Sequence, residues 1–586
     1  MLLPVTETPS EITRDLDLAD GETSSRLLAS CDAQIFQGWR GSGGLVADSV
    51  LDAAARVTQS AVEVLRAGPK GRILVAGAGT SGRLAHLVCR QFNRLLRAAG
   101  RTEAFRALVA GGVQALVRSV EGAEDDRASA VRQLTASLDS AATHCLYVGV
   151  SCGLSAPSVA AQLHALLEDP RAHCALIGFN PAEQARDTPI EDWDQTFATI
   201  LHQALESPRF SLLNPVLGPE ALTGSSRLKG GTATKILLEA VFATALEMVG
   251  LMPGGESIAA SEDVDLTDPL RARLRARIRE NEVNVDAVHS HDAAMGKLAD
   301  LMAATLKRAG SIYYLGRESA GMMGLIDASE CPPTFGAQLN DVRGYLRSGW
   351  PELLDQETVP PLLGEDLEIS HDDFEKHRLP DLERGDLVVA LAIEAVGPSA
   401  AALLAAAHQH RATTAVLLVH HAEAKAPDLP PGIDHAFLVA IPSLGHHPLH
   451  PNLAETALKL FLNAASTGAF VQHGKVFHNQ MVDLRLANQK LVLRAKETIR
   501  DVVGVPDEEA WSALVRVACR TDSPSAEQLA LTPAALAREA AGRSRLVPTA
   551  MLLAALGGSI EDVEERLGRD PVVRRVLQSA LEGRDG

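Results

Sequence analysis

The chain lacks the marks of several large functional classes. Its seven cysteines (31, 89, 145, 152, 174, 331 and 519) include no CxxC pair. With an odd count, they point to a reduced compartment rather than a disulfide framework. Positive charge is short: 55 Lys and Arg against 74 Asp and Glu leave −19, spread along the chain. That balance speaks against a nucleic-acid partner, because a phosphate backbone demands a basic surface. No signal-peptide pattern and no uninterrupted apolar run of about 18 residues appears, so the expectation is a soluble cytoplasmic protein without a membrane partner. No acidic or cysteine partner stands at ligand spacing from the histidines of His446-His447-Pro448-Leu449-His450. No metal is therefore expected, nor is an organic cofactor.

What is present is length and order. A chain of 586 residues, 46% apolar, is too long for one core and suggests roughly two to five domains. Its most informative stretch runs from Arg72 to Leu96 and reads as strand, glycine turn and helix. Ile73 to Ala76 is a short apolar run of the kind a parallel sheet buries on both faces. Gly77 and Gly79 allow a tight turn, and Thr80 and Ser81 fall where a helix begins. Unpaired N–H groups and two hydroxyls at a helix start suit an anion; the same glycines also serve plain strand-to-helix packing. A dinucleotide fingerprint does not fit, because Gly82 comes one residue early. A P-loop does not fit either, because no Gly-Lys-Ser/Thr closes the turn.

Further apolar runs at 107–110, 145–150 and 174–179, each followed by turn residues and a helical pattern, predict repeated βα units and a parallel sheet with helices on both faces. Their ends carry polar turns: Ala110-Gly111-Gly112, then Ser151-Cys152-Gly153-Leu154-Ser155, and later the helix start Thr223-Gly224-Ser225-Ser226-Arg227-Leu228-Lys229. With Thr80-Ser81, the Ser151 and Thr223 segments make three hydroxyl-rich helix starts; each could be ordinary N-capping, whereas three on one sheet edge favour an oxyanion ligand. A second βα series follows, with strands expected at 311–315, 387–393, 415–419 and 436–441, and a polar surface excursion between Trp350 and Pro380. From about Arg500 the pattern is helical, with Ser559 opening a capping box. The expected division is an N-terminal arm (1–44), a first α/β domain (45–255), a helical connection (256–308), a second α/β domain (309–498) and an all-α C-terminal domain (499–586).

Several of these blocks together resemble a known family. GAGTSGRL (77–84), AGG with VEGAEDD (110–112 and 120–126), TGSSRLKGGTATK (223–235), DASECPPTFG (327–336) and STGAFVQHGKVFHNQMVDLRLANQKL (466–491) are similar to the sugar isomerase (SIS) domain of N-acetylmuramic acid 6-phosphate etherases. Those enzymes hold all five blocks in one half-length chain that dimerises. Two such domains in tandem with a helical end resemble the glucokinase regulatory proteins of vertebrates and their bacterial relatives. The resemblance implies an α/β fold of two flavodoxin-like SIS domains forming a pseudo-dimer, plus a C-terminal all-α lid. Each half has lost what the other kept: Gln91 stands where the first half should carry the glutamate of DASECPP, and Gly316-Arg317-Glu318-Ser319 replaces GAGTSGRL in the second. One composite site and one dead site are therefore expected.

By the same resemblance, Gly79, Thr80, Ser81, Ser151, Gly153 and Ser155 hold the phosphate and nearby hydroxyls of a sugar phosphate. Ser226 and Arg227 close around it, and Lys475 reaches the sugar from the second domain. Glu124 and Glu330 match the two etherase glutamates with acid–base roles, Glu124 as base and Glu330 as acid. The regulators keep glutamates at both positions to hold fructose phosphates, and an acidic run such as 121–126 is also an ordinary solvated helix start. Two readings follow. One is a lyase that removes lactate from N-acetylmuramic acid 6-phosphate. The alternative is a non-catalytic sensor of fructose 6-phosphate or fructose 1-phosphate that controls a sugar kinase. A sugar-phosphate isomerase, sharing proton abstraction at C2, is a third. The complete DASECPPTFG and the lack of an apolar docking loop at 443–450 lean towards the enzyme; the overall architecture leans towards the regulator.

Overall fold

The computed structural model describes residues 3–138, 141–190, 192–252, 267–357, 364–423, 427–442, 450–483, 486 and 489–582. Two five-stranded parallel sheets among them follow one plan. The first contains β1 (Gly71–Gly77), β2 (Phe105–Val109), β3 (His144–Val150), β4 (Ala172–Ile177) and β5 (Phe210–Leu213), in the order β2-β1-β3-β4-β5. The second contains β6 (Ile312–Gly316), β7 (Val342–Leu346), β8 (Leu387–Ile393), β9 (Thr413–His421) and β10 (His435–Ile441). Its order, read from one edge, is β7-β6-β8-β9-β10, the same topology. This is the doubly wound arrangement the sequence predicts. It adds β5 and β7, two short strands whose apolar runs are too brief to stand out in a sequence.

Alternation along the strands divides the core. Ile73 and Val75 face a central cluster while Leu74 and Ala76 face an outer one; Ile312 and Tyr314 face the same central cluster while Tyr313 and Leu315 face a separate outer one. The central cluster thus belongs to both halves. It is built by the helices Gly79–Ala98 and Glu318–Phe335, which pack on each other, and by Lys229–Met248 and His450–Gln472, which do likewise. The two sheets form a pseudo-dimer with its helices in the seam.

Three expectations need correction. The first forty-four residues are not an arm apart from a core: Leu16, Cys31 and Ile35 are fully buried, and the helix Gly21–Asp32 packs on Asp292–Lys307 and His450–Gln472. The stretch from Trp350 to Pro380 is not simply a surface excursion, since Leu353, Leu367, Ile369 and Phe374 are buried against the second sheet's layers. The boundary expected at 498/499 falls inside the helix Gln489–Val503, whose Val492 and Ile499 pack with the C-terminal helices. In that helical domain, Ser559 caps Ile560–Arg569 with a reciprocal bond to Asp562, as its sequence predicts. Among the described residues no single helix is long and apolar enough to cross a membrane.

Candidate functional site

The turn after β1 is forced by close packing. A side chain at Gly77 would meet the backbone of Ser81 and Gly82 at 2.9 Å, and Gly79 takes a left-handed φ of +53°. Strand end and helix start therefore touch, and Thr80 and Ser81 stand on the first turn of the helix Gly79–Ala98. At the end of β3, the Ser151 hydroxyl oxygen accepts the N–H groups of Ser155 (2.9 Å) and Ala156 (3.1 Å). That local cap folds the turn ahead of the helix Pro157–Leu166. The third helix start, Lys229–Met248, follows the Thr223–Leu228 loop, which is pinned by Gly224 N–H on the Thr6 carbonyl (3.1 Å) and Thr223 N–H on that of Asn479 (2.9 Å).

These turns meet in one cavity of about 410 Å³. Of the residues expected from the sequence, Gly79, Thr80, Ser81, Ser151, Gly153, Ser155, Ser226, Arg227, Glu124 and Glu330 all line it. Glu330 arrives from the other half, on the helix Glu318–Phe335, and accepts a hydrogen bond from the buried guanidinium of Arg83. Pro333 and Thr334, one turn later, extend the same wall. Glu124 is an exposed residue of the lining, with its carbonyl accepting the Ser158 N–H at 3.0 Å.

Two cations do not behave as expected. Arg227 lines the cavity, but its terminal nitrogens bond Asp327 (3.1 Å), Ser466 (3.1 Å) and Thr467 (2.7 Å) of the second half, and its guanidinium lies 5.2 Å from the Phe335 ring centre. It is a strut between the halves. Lys475 lies outside the cavity lining; it is buried, with its ammonium 2.5 Å from the Asp483 carboxylate. The histidine-bearing loop 443–449 falls outside the described residues.

Several wall residues were given no role in the sequence reading, among them Thr6, Glu7, Arg186 and Glu220. Thr6 belongs to an N-terminal strap held by Val5 N–H on Gln184 Oε1 (3.0 Å) and Thr6 N–H on Asn180 Oδ1 (2.8 Å). Glu220, two residues after a left-handed Gly218, is 2% exposed. Its Oε1 accepts the Gly230 N–H at 2.9 Å, while its Oε2 is buried without a hydrogen-bond partner. Burial pushes its carboxyl up to about 7 against the pull of Lys229 and Lys459. Burial likewise raises the Cys152 thiol to about 11, so the sulfur beside Ser81 is a neutral wall group. A carboxyl just ahead of TGSSR, buried against the start of Lys229–Met248, leaves no periodic signal; only its place beside that block could have drawn attention.

The pseudo-equivalent position in the second half is filled by the protein itself. Glu318 opens its helix with φ +52°, matching Gly79, and thirteen residues into each helix Gln91 matches Glu330. Where the first half leaves its helix start facing a cavity, the second places Glu352 there. Its carboxylate accepts the N–H groups of Glu318 (2.5 Å) and Ser348 (2.8 Å). The Glu318 side chain turns back onto Arg90 and Arg94. Gln91 donates to Glu455, itself 3.3 Å from Lys235. An internal carboxylate thus occupies the anion position of the second half.

Comparison with known proteins gives a consistent result. The glucokinase regulatory protein N-terminal SIS domain matches residues 56–167, its second SIS domain 289–439, and its C-terminal lid domain 478–577. The Homo sapiens glucokinase regulatory protein is 31% identical, covering 99% of this chain and 93% of the relative. The Xenopus laevis one is 29% identical with the same coverage. An N-acetylmuramic acid 6-phosphate etherase of Serratia proteamaculans is 35% identical, over 39% of this chain and 74% of the enzyme.

Proposed function

Because this chain belongs to the glucokinase regulatory protein family, we propose that it binds a phosphorylated sugar between its two SIS halves and, on that signal, regulates a sugar kinase without converting the sugar. The observation that carries this reading is the composite cavity: Thr80 and Ser81 on one half face Glu330 from the other. The phosphate of the ligand sits at the start of Gly79–Ala98, where N–H groups and two hydroxyls offer donors. Sugar hydroxyls donate to Glu330, which Arg83 holds in place, and to Glu124 at the rim. A ligand held this way ties together both halves and the Thr6–Glu7 strap. Its binding energy therefore favours one arrangement of three segments, which is what a sensor needs to alter a distant docking surface.

A second reading has its own support. Glu124 and Glu330 line the same cavity, and the etherases match part of this chain. Lyase chemistry would have Glu124 take the C2 proton of the open-chain sugar and Glu330 protonate the ether oxygen as the C3–O bond breaks, with water then adding across the new C2=C3 bond. Arg83 donates to Glu330 and fixes the orientation of its carboxyl, as a binding role requires, and the full-length relatives are regulators by name. The test is direct. Incubation with N-acetylmuramic acid 6-phosphate is expected to release no D-lactate, whereas titration into a glucokinase assay is expected to change its rate in a manner reversed or enhanced by fructose 6-phosphate or fructose 1-phosphate. Lactate release lost in Glu124→Gln and Glu330→Gln would establish the lyase instead.

A further inference from the structure

Glu220 has no part in the proposal above, yet it lines the cavity as a buried carboxyl. Its Oε1 takes the Gly230 N–H of the helix Lys229–Met248. One residue on, a side chain at Gly231 would touch Thr80 Cγ2 at 3.3 Å. The Glu220 carboxyl is thus within a residue of the place where two helix starts converge. Both starts attract negative charge, and Glu220, whose Oε2 is buried and unpartnered, lines the cavity beside them.

The surrounding charges do not pair with it directly. Lys229 is bonded to Gln34 Oε1 (2.6 Å) and to the carbonyls of Leu217 (2.8 Å) and Pro219 (2.7 Å). Lys459 is bonded to the carbonyls of Arg227 (2.8 Å) and Leu228 (3.2 Å) and to Thr232 (3.1 Å). Asp32 opposes its charge, the neighbouring Cys31 and Cys152 are neutral thiols that offer it no counter-charge, and Glu7, Glu124, Asp125 and Glu330 add further carboxylates to the cavity. Two anions cannot share such a space without a proton between them.

Resting on the reading of this cavity as a sugar-phosphate site, we propose that Glu220 meets the phosphate as a neutral acid whose Oε2–H donates to it, so that each bound phosphate ester carries one proton into the protein. Ligand binding is then linked to pH through a group that no sugar hydroxyl needs. Burial holds this carboxyl at about 7, so near neutrality its proton is close to balance and a neighbouring anion tips it towards the acid form.

The experiment is calorimetric titration of the full chain with fructose 6-phosphate at pH 7.8, where the ester is almost wholly dianionic, in two buffers of different ionisation enthalpy. Wild type is expected to take up at least about half a proton per ligand, with affinity falling towards tenfold per pH unit above pH 8. Glu220→Gln, which keeps an N–H donor, is expected to bind without that uptake. Binding by wild type with no uptake and a flat pH profile overturns the inference while leaving the sugar-phosphate reading intact. Uptake that persists in Glu220→Gln assigns the proton to another group, Lys459 foremost, and overturns it too. No heat of binding from wild type overturns the reading beneath it. Should Glu220→Gln fail to fold, infrared difference spectra of wild type decide: a protonated-carboxyl C=O band that grows when fructose 6-phosphate is added at pH 7.8 supports the inference, and uptake without such a band overturns it.

Discussion

Replacing Arg227 with Met tests whether the two halves are locked by a buried strut. The guanidinium and the Asp327 carboxylate are 2% and 3% exposed as side chains, 3.1 Å apart, and Ser466 and Thr467 take the remaining terminal N–H groups. Methionine fills similar volume but leaves Asp327 buried without its cation. Breaking such a pair costs about 3–5 kcal/mol. The loss has a pH signature. Burial raises the Asp327 carboxyl and Arg227 is the main influence holding it down, so the variant's folded-state value lies further above that of the unfolded chain. A raised carboxyl contributes stability at low pH and loses it as pH rises, so the deficit should be largest at pH 8 and shrink towards pH 5. Asp327→Asn added to Arg227→Met removes the stranded charge and should recover about 2 kcal/mol while flattening the pH dependence. Equilibrium urea unfolding of wild type and the two variants at pH 5, 6.5 and 8 measures this. A loss below about 1 kcal/mol for Arg227→Met, or a deficit that grows towards acid, refutes the argument.

Other consequences are simpler to check. Thr80→Val should weaken fructose 6-phosphate binding about tenfold or more, the value of a hydrogen bond to a charged group, whereas Ser319→Val at the filled position should leave it within twofold; equal losses would mean two live sites. His371 is 3% exposed and burial lowers it to about 4, so the unfolded chain binds a proton between pH 6.5 and 4 that the folded chain refuses. The melting temperature should fall through that window, and His371→Gln should flatten the fall; an unchanged slope would remove His371 from the explanation. Six of the seven cysteines are buried and Cys519 is half-buried. Brief iodoacetamide treatment of the native protein should therefore modify Cys519 first, as read by peptide mass; early modification of Cys331 or Cys152 would contradict the packing.

The long strands and the glycine turn were legible because burial on both faces and a tight strand-to-helix approach each impose a residue pattern. Ile73 to Ala76 and Leu387 to Ile393 are runs only a central strand needs. The wall formed by Thr80, Ser81, Ser151 and Ser155 was legible for the same reason, as hydroxyls at helix starts along one sheet edge. What stayed hidden depends on tertiary partners. Nothing local to Arg227 says that its guanidinium is spoken for by Asp327, a hundred residues on, or that Lys475 is taken by Asp483. Glu352 reads as one more acidic residue, and only the folded chain reveals that its carboxylate fills the start of Glu318–Phe335.

The shared central core also bears on how this molecule comes into being. A ribosome delivers residues 71–248 long before 318–472, so the seam faces of Gly79–Ala98 and Lys229–Met248 emerge without the helices that will cover them. During that interval the nascent first half carries an apolar surface shaped for a near-copy of itself, the situation in which neighbouring chains on one message mispair. A chain stopped near residue 252 should accordingly be recovered as a self-paired dimer or as aggregate rather than as a monomer. The tandem arrangement makes the correct partner arrive on the same polypeptide, at a local concentration no free subunit could match.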